Sequence, residues 1–285
     1  MACDRNARTT LRRAYHSRMP TDPDPDLVAR LRAAGCVFAE DEAALLTEAV
    51  QGHADATDEL EVLADRRVAG EPLEQVLGWA EFAGLRMLLE PGVFVPRRRT
   101  ELLAAEAARF AAAIADEGRT PVVLDLCCGV GAIGAAVAAA VERIELVAAD
   151  IDPAAVRATR RNLEALGARV VEGDLFDPVP HDLLGRVDVL AVNAPYVPTE
   201  EIAMMPPEAR DHEARVALDG GGDGLDVHRR VAASARDWLA PGGHLLIETS
   251  RRQAPTTVAL VTAGGLAAHI VHDEEVDATV VIGRR

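Results

Sequence analysis

Val122-Val123-Leu124-Asp125-Leu126-Cys127-Cys128-Gly129-Val130-Gly131-Ala132-Ile133-Gly134 is the stretch on which the reading of this chain turns. Three β-favouring apolar residues run into a carboxylate, then into a turn of small residues, and then into an Ala-rich helical stretch over 133–141. Glycines at 129 and 131 let main-chain amides approach a ligand where a Cβ would collide. The helix N-terminus that follows adds partial positive charge. Strand, glycine turn and helix in this order open a βαβ unit.

The same alternation continues outward. Strand runs at 145–149, 169–171, 187–192 and 244–247 are interleaved with helical stretches at 153–166 and 227–239. Residues 269–272 and 279–282 flank the polar segment 273–277 and end the pattern as a hairpin. Seven strand runs alternating in this way predict an α/β fold: a doubly wound, seven-stranded, mostly parallel sheet with helices on both faces. Upstream, Leu27, Val28, Leu31, Ala44, Leu45, Ala49, Leu60, Val62, Leu63 and Val68 recur at helical intervals and predict a small N-terminal helical domain. Trp79, Phe82, Leu85, Met87 and Leu89, broken by Gly84 and Pro91-Gly92, predict a β-hairpin linker. The expected organisation is a disordered basic tail at 1–19, helices at 20–78, the linker at 79–98 and the main domain at 99–285. Met19 is an alternative translational start.

The 285 residues carry 30 basic side chains, all of them Arg, against 46 acidic ones, for a net charge of −16. That balance repels a phosphate backbone and argues against stable nucleic-acid binding. With 49% hydrophobic but only 3% aromatic residues, the core must be built from Ala, Val, Leu and Ile. Cys3, Cys36, Cys127 and Cys128 have neither disulfide nor metal spacing, so no metal site is expected. No apolar run approaches the ~20 residues that span a bilayer, so the reading is a cytoplasmic protein without membrane attachment.

Gly129, Gly131 and Gly134 followed about 20 residues later by Asp150 satisfy the dinucleotide fingerprint. That match alone leaves NAD and S-adenosylmethionine both open. Three features favour S-adenosylmethionine. Asp125 ahead of the turn suits a ligand carrying ammonium and sulfonium groups better than a pyrophosphate. Asp174 is placed to accept from an adenine amino group, with Leu175 packed on the ring. Asn193-Ala194-Pro195-Tyr196 ends the fourth strand at the carboxyl edge, where open α/β sheets bind ligands. An amide nitrogen is a poor nucleophile and needs acceptors for its hydrogens if it is to face a methyl donor. The Asn193 side-chain oxygen and the Ala194 carbonyl can each accept one, while Tyr196 offers an aromatic wall. The candidate cofactor residues are therefore Asp125, Cys127, Cys128, Gly129, Val130, Gly131, Asp150, Asp174, Leu175 and Asn193, and the candidate catalytic residues Asn193, Ala194, Pro195 and Tyr196.

With these residues in hand, the chain from about Gly70 onward resembles the HemK/PrmC-type protein-(glutamine-N5) methyltransferases. The resemblance rests on Gly70-Glu71-Pro72-Leu73, Val95-Pro96-Arg97 with Thr100-Glu101, Asp125 to Gly131, Asp150, Asp174-Leu175, the Asn193 tetrapeptide, and the segment from His212 to Gly221. It implies a class I methyltransferase fold, S-adenosylmethionine as cofactor, and a protein glutamine, in a peptide chain release factor, as acceptor. Cys127 to Gly131, Asp150, Leu175 and Asn193 then line the cofactor pocket, and Asn193 to Tyr196 hold the glutamine. Ala194 stands where the family has Pro, Cys127 where it has Gly, Arg98-Arg99 where it has a Pro-acidic pair, and Ala214 where it has Pro. Two alternatives remain: an adenine-amino methyltransferase, and a catalytically silent cofactor-binding protein.

Overall fold

The structure, a computed structural model, describes residues 24–285. The expected basic tail, Met19 and Cys3 lie outside the described residues. The described residues open with four helices: α1 (Pro25–Ala33), α2 (Ala39–Ala49), α3 (Ala56–Val68) and α4 (Leu73–Leu77). Asp24 caps α1 by accepting from the Asp26 amide, and Pro25 occupies its first turn, where no N–H is needed. The apolar stripes of these helices close on one another, burying Leu31, Ala39, Leu46 and Ala64 completely. Gly78, at φ 73°, ends α4 in the left-handed conformation that glycine adopts without a Cβ clash.

Strands β1 (Trp79–Phe82) and β2 (Leu85–Leu88) pair antiparallel. Ala83 and Gly84 both have positive φ at the turn, which matches the twist of a tight hairpin. Phe82 is fully buried and Trp79 nearly so, both as packing residues.

The remaining elements are α5 (Glu101–Asp116), β3 (Val122–Leu126), α6 (Ala132–Ala140), β4 (Glu145–Asp150), α7 (Pro153–Leu163), β5 (Arg169–Glu172), β6 (Val187–Val192), α8 (Pro207–His212), α9 (Asp226–Trp238), β7 (Leu239–Glu248), α10 (Ala254–Ala263), β8 (Ala267–Asp273) and β9 (Ala278–Arg284). The large sheet has seven strands in the order β5-β4-β3-β6-β7-β9-β8. Neighbours from β5 to β7 are parallel, and β9 lies antiparallel between β7 and β8. One apolar layer joins α5, α6, α7 and the hairpin to one face of the sheet. A second joins α9 and α10 to the other. Val123, Leu124, Val189 and Leu190 on the two central strands are fully buried, as a sheet covered on both faces requires.

From β3 the chain steps one way to β4 and β5, then returns to lay β6 and β7 on the other side. A crevice therefore opens at the carboxyl ends of β3 and β6, where the winding reverses. The register pairs Leu126 with Val192 and Val192 with Ile247, so the glycine turn, Asn193 and Glu248 emerge side by side at that edge.

The chain departs from the sequence expectation at β7, α5 and α10, and in the short helix α8 that no periodic run announced. β7 begins at Leu239 because the Pro241–Gly243 segment stays extended beside β6 through a register shift between Val187 and Val189. The helices α5 and α10 carry Ala, Val and Leu on several sides, which blurs the 3.6-residue period that would have announced them.

Candidate active site

The turn after β3 is braced from three directions. Gly129 donates its amide to Asp150 Oδ2 at 2.8 Å, its carbonyl accepts from Thr159 Oγ1 at 2.7 Å, and the Cys128 amide reaches the Ala149 carbonyl at 3.1 Å. Asn162 on α7 donates to the Val130 carbonyl at 2.9 Å while also bonding both main-chain groups of Leu88, so one side chain ties the turn to the hairpin. A Cβ added at Gly129 would meet no heavy atom within 4 Å, because the space beside it is the cavity. Cys127 holds φ 57°, a conformation costing a non-glycine residue roughly 1–2 kcal/mol. The geometry suited to glycine is therefore kept at this position with a cysteine in it. Leu175, at φ 49°, is strained in the same way across the cavity.

The cavity measures about 280 Å³ and is walled mainly by apolar surface. Cys127, Cys128, Gly129, Val130 and Asp150 form one side, Asp174 and Leu175 the next, and Asn193 to Tyr196 the far end. Asp150 uses each oxygen once, accepting from the Gly129 amide and from the Asp152 amide at 2.9 Å. A carboxylate has about four lone-pair sites, so acceptor capacity remains toward the cavity. Burial holds the Asp150 carboxyl above its ordinary acidity range, and the two amides pull it back down. Asp174 is tied by one oxygen, at 2.7 Å, to Arg230 of α9. No local sequence signal points to this partner, which leaves the other oxygen to serve a ligand. Phe176 stacks on Trp238 with centroids 5.4 Å apart and anchors the Leu175 turn from behind.

Two of the expected cofactor residues are not in the cavity wall. Asp125 is fully buried on β3, where strand alternation turns it toward α6, and its Oδ2 accepts the Gly134 amide at 2.9 Å. Gly131, at φ 77°, faces α7 instead, and a Cβ there would sit 3.0 Å from Thr159 Cγ2. Both residues shape the turn from beneath.

Asp125 Oδ1 has no partner, and burial pushes its carboxyl up to about 7. An unfolded Asp titrates near 4, so the folded state keeps a proton that the unfolded chain has already released. The stability this adds is complete below about pH 4 and lost as pH climbs through about 7. Between pH 5 and pH 8 the wild type should lose about 2–3 kcal/mol more than Asp125→Asn. Parallel urea-unfolding series at the two pH values measure the difference; equal losses in both proteins would rule out a protonated Asp125.

At the far end, the Asn193 Nδ2 group donates to Thr100 Oγ1 at 3.3 Å, and the Tyr196 hydroxyl donates to Glu248 Oε1 at 3.2 Å. Burial and Glu248 push the Tyr196 phenol above its usual range, so it stays a neutral donor. The Tyr196 carbonyl accepts from Gln253 Nε2 at 2.9 Å, and the same nitrogen reaches the Asp223 carbonyl at 3.0 Å. This clamp joins the tetrapeptide to the 220–224 turn. Neither Asn193 Oδ1 nor the Ala194 carbonyl accepts a hydrogen bond from any described residue. Glu213, within the His212–Gly221 segment, accepts the Val95 amide at 3.1 Å and Arg97 at 2.6 Å. Thr100, Arg99, Phe94 and Met205 also line the cavity and carried no role in the sequence reading. Thr100 was visible there only within the stretch leading into α5.

A sheet of this order, with its cavity at the reversal of winding and its glycine turn and acids on one wall, defines a class I S-adenosylmethionine-dependent methyltransferase. A solved methyltransferase from Pyrococcus furiosus shares the fold, with a TM-score of 0.52 over 80% of this chain and 98% of that one at 18% identity. The profile of the methyltransferase small domain family matches residues 85–229. A release factor glutamine methyltransferase of Geobacter sulfurreducens is 38% identical over 205 residues, 71% of this chain and 69% of the relative. A 4-amino-L-phenylalanine/4-methylamino-L-phenylalanine methyltransferase of Streptomyces pristinaespiralis is likewise 38% identical over 205 residues, covering 72% and 70%. The chain belongs to the methyltransferase small domain family and, within it, to the group of the release factor glutamine methyltransferases. Among the described residues no helix is long and apolar enough to cross a membrane.

Proposed function

We propose that this methyltransferase acts in the cytoplasm on the side-chain amide nitrogen of a protein glutamine, with a peptide chain release factor as the leading acceptor. The observation that carries the reading is the pair of uncommitted acceptors, Asn193 Oδ1 and the Ala194 carbonyl, at the end of a cavity whose other wall is the Gly129 turn. Bound S-adenosylmethionine supplies a methyl group on a positively charged sulfur. In the proposed site Asp150 accepts from the ribose hydroxyls, Asp174 from the adenine amino group, and Leu175 packs on the ring. Amides from Cys127 to Val130 border the ligand, with Asp125 and Gly131 holding their turn in shape.

Asn193 and Ala194 take the two amide hydrogens of the acceptor and point its nitrogen lone pair at the methyl carbon. Tyr196, with Pro195 behind it, flanks the planar amide. As the N–C bond forms, the C–S bond breaks; the nitrogen then releases its extra proton to water. Catalysis is orientation and electrostatics, without a covalent enzyme intermediate. The helical segment expected at 20–78 is the proposed docking surface for the protein acceptor. Arg67 on α3 pairs with Glu42 at 2.6 Å and reaches Glu208 of α8 at 2.8 Å, which fixes the helices beside the cavity mouth, and Phe38 stands exposed at the leading end of α2.

A second reading comes from the Streptomyces relative: the exocyclic amine of a small aromatic amino acid poses the same geometric problem, and the cavity wall is largely apolar. Incubation with S-adenosylmethionine and either a release factor or 4-amino-L-phenylalanine, followed by mass spectrometry, tests both. One added methyl on a single glutamine, absent from the Gln→Ala release factor, is expected. Methylation of the amine alone would replace the first reading by the second. Cofactor binding without transfer to either would leave a silent binding protein.

A further inference from the structure

Three arginines line the cavity, and two of them are committed to carboxylates. Arg97 donates to Glu213 at 2.6 Å and lies over the Phe94 ring, its guanidinium carbon 4.9 Å from the centroid; Arg230 donates to Asp174 at 2.7 Å. The Arg99 guanidinium makes no hydrogen bond to any described residue. Its one ion pair among them is with Glu248, whose Oε1 lies 3.8 Å from Arg99 Nε, beyond hydrogen-bond reach, and already accepts the Tyr196 hydroxyl at 3.2 Å. The order of the strands places this side chain. The glycine turn follows β3, Asn193 follows β6 and Glu248 ends β7, and the three strands lie side by side in that order. Arg99 and the Tyr196 hydroxyl converge on one oxygen at the end of β7, so Arg99 stands on the far side of Asn193 from the turn that borders the cofactor.

Charge makes that position costly unless an anion completes it. Methyl transfer moves a positive charge from sulfur to the acceptor nitrogen, and a cation beside the path opposes it throughout in a poorly screened cavity. Glu248 offsets part of that charge. A planar fork with uncommitted donors is suited to take the rest from a carboxylate that arrives with the ligand, in a bidentate pair. We propose that Arg99 is a specificity-determining residue that binds a carboxylate carried by the methyl acceptor close to its reacting nitrogen. The proposal rests on the methyl-transfer reading of Asn193 and Ala194 for the placing of that nitrogen. The carboxylate belongs either to an acidic side chain beside the modified glutamine or to the α-carboxyl group of a free amino acid, and both sources make the same contact. Arg99 is half-exposed, so replacing it leaves the buried layers as they were.

The test pairs each anionic acceptor with a neutral copy: a short glutamine peptide with Asp on either side of the glutamine against the same peptide with Asn, and 4-amino-L-phenylalanine against its carboxamide. Binding to the wild type, Arg99→Gln and Arg99→Lys is measured by isothermal titration with S-adenosylhomocysteine bound, and transfer by steady-state kinetics with S-adenosylmethionine. In the wild type one anionic acceptor should bind about 10–100-fold more tightly than its neutral copy, the range of a charge-assisted pair. The pair that shows the preference identifies the source of the carboxylate. Arg99→Gln should lose the preference, through KM more than kcat, and Arg99→Lys should keep part of it. No preference in either pair, or a preference that Arg99→Gln leaves intact, overturns the proposal. So does an Arg99→Gln variant whose loss falls on cofactor affinity instead, because the carboxylate is then the cofactor's own. A binding preference without methyl transfer to any acceptor counts against the functional reading alone.

Discussion

Asn193→Ala lowers kcat for methyl transfer by about 10²–10³-fold, the loss typical of deleting one preorganised polar partner of a reacting group, and changes affinity for S-adenosylmethionine far less. The side chain removed is one of two acceptors at the end of the cavity that no other residue occupies. Without it, an acceptor amide keeps one hydrogen bond, to the Ala194 carbonyl, and can rotate about that contact. Reaction requires nitrogen, methyl carbon and sulfur in line, so the rotation is costly out of proportion to the single bond lost. The fold should be untouched, because Asn193 follows the last residue of β6 and its one hydrogen bond goes to Thr100. Steady-state kinetics alongside titration of the cofactor separates the two effects. A kcat within tenfold of wild type would remove Asn193 from the reaction.

Asp150→Ala weakens S-adenosylmethionine binding by about 10²–10³-fold, with two lost charge-assisted bonds each worth roughly 1.5–3 kcal/mol as the limit. Part of the loss comes from the protein itself. The Gly129 and Asp152 amides lose their acceptor together, so the turn on one side and the start of α7 on the other both loosen. Isothermal titration with S-adenosylmethionine, S-adenosylhomocysteine and NAD measures it. Binding of the two methionine-derived ligands and not NAD is expected in the wild type. If NAD alone binds, the glycine turn has been assigned the wrong nucleotide and the cofactor reading falls.

The parts of the site that lie on one short piece of chain are legible in the amino-acid sequence by itself. A strand, two glycines and a helix in immediate succession are a local signal, and so are Asp150 at the end of the next strand and the Asn193 tetrapeptide at the end of the fourth. What escaped is made by residues distant in sequence. Thr100 reaches Asn193, and Glu248 reaches Tyr196, only because the sheet order brings β6 beside β7 and the turn before α5 folds beside them. A carboxylate ending the apolar run Leu245-Leu246-Ile247 was the available hint, since Glu248 had no solvent-side reason to be there. Asp125 misled for the opposite reason. It stands at a motif position, but strand alternation points it beneath the turn, and one residue of parity outweighs proximity in sequence. The Arg230 partner of Asp174 sits on α9, 56 residues away, beyond any local pattern. The helices α5 and α10 were hidden by composition: with small apolar residues on several sides, an amphipathic period has little to contrast with.

β9 is the last strand in the sequence and yet an inner strand of the sheet, paired on both sides, with Val280, Val281 and Ile282 fully sealed from solvent. During synthesis, which runs from the N-terminus, β7 is therefore complete while the strand that covers its edge has yet to be made. Leu245, Leu246 and Ile247 then present an unpaired, apolar edge to every neighbouring nascent chain. The interval between the making of β7 and the arrival of β9 is when this protein is most exposed to aggregation, and when a chaperone would have most to shield.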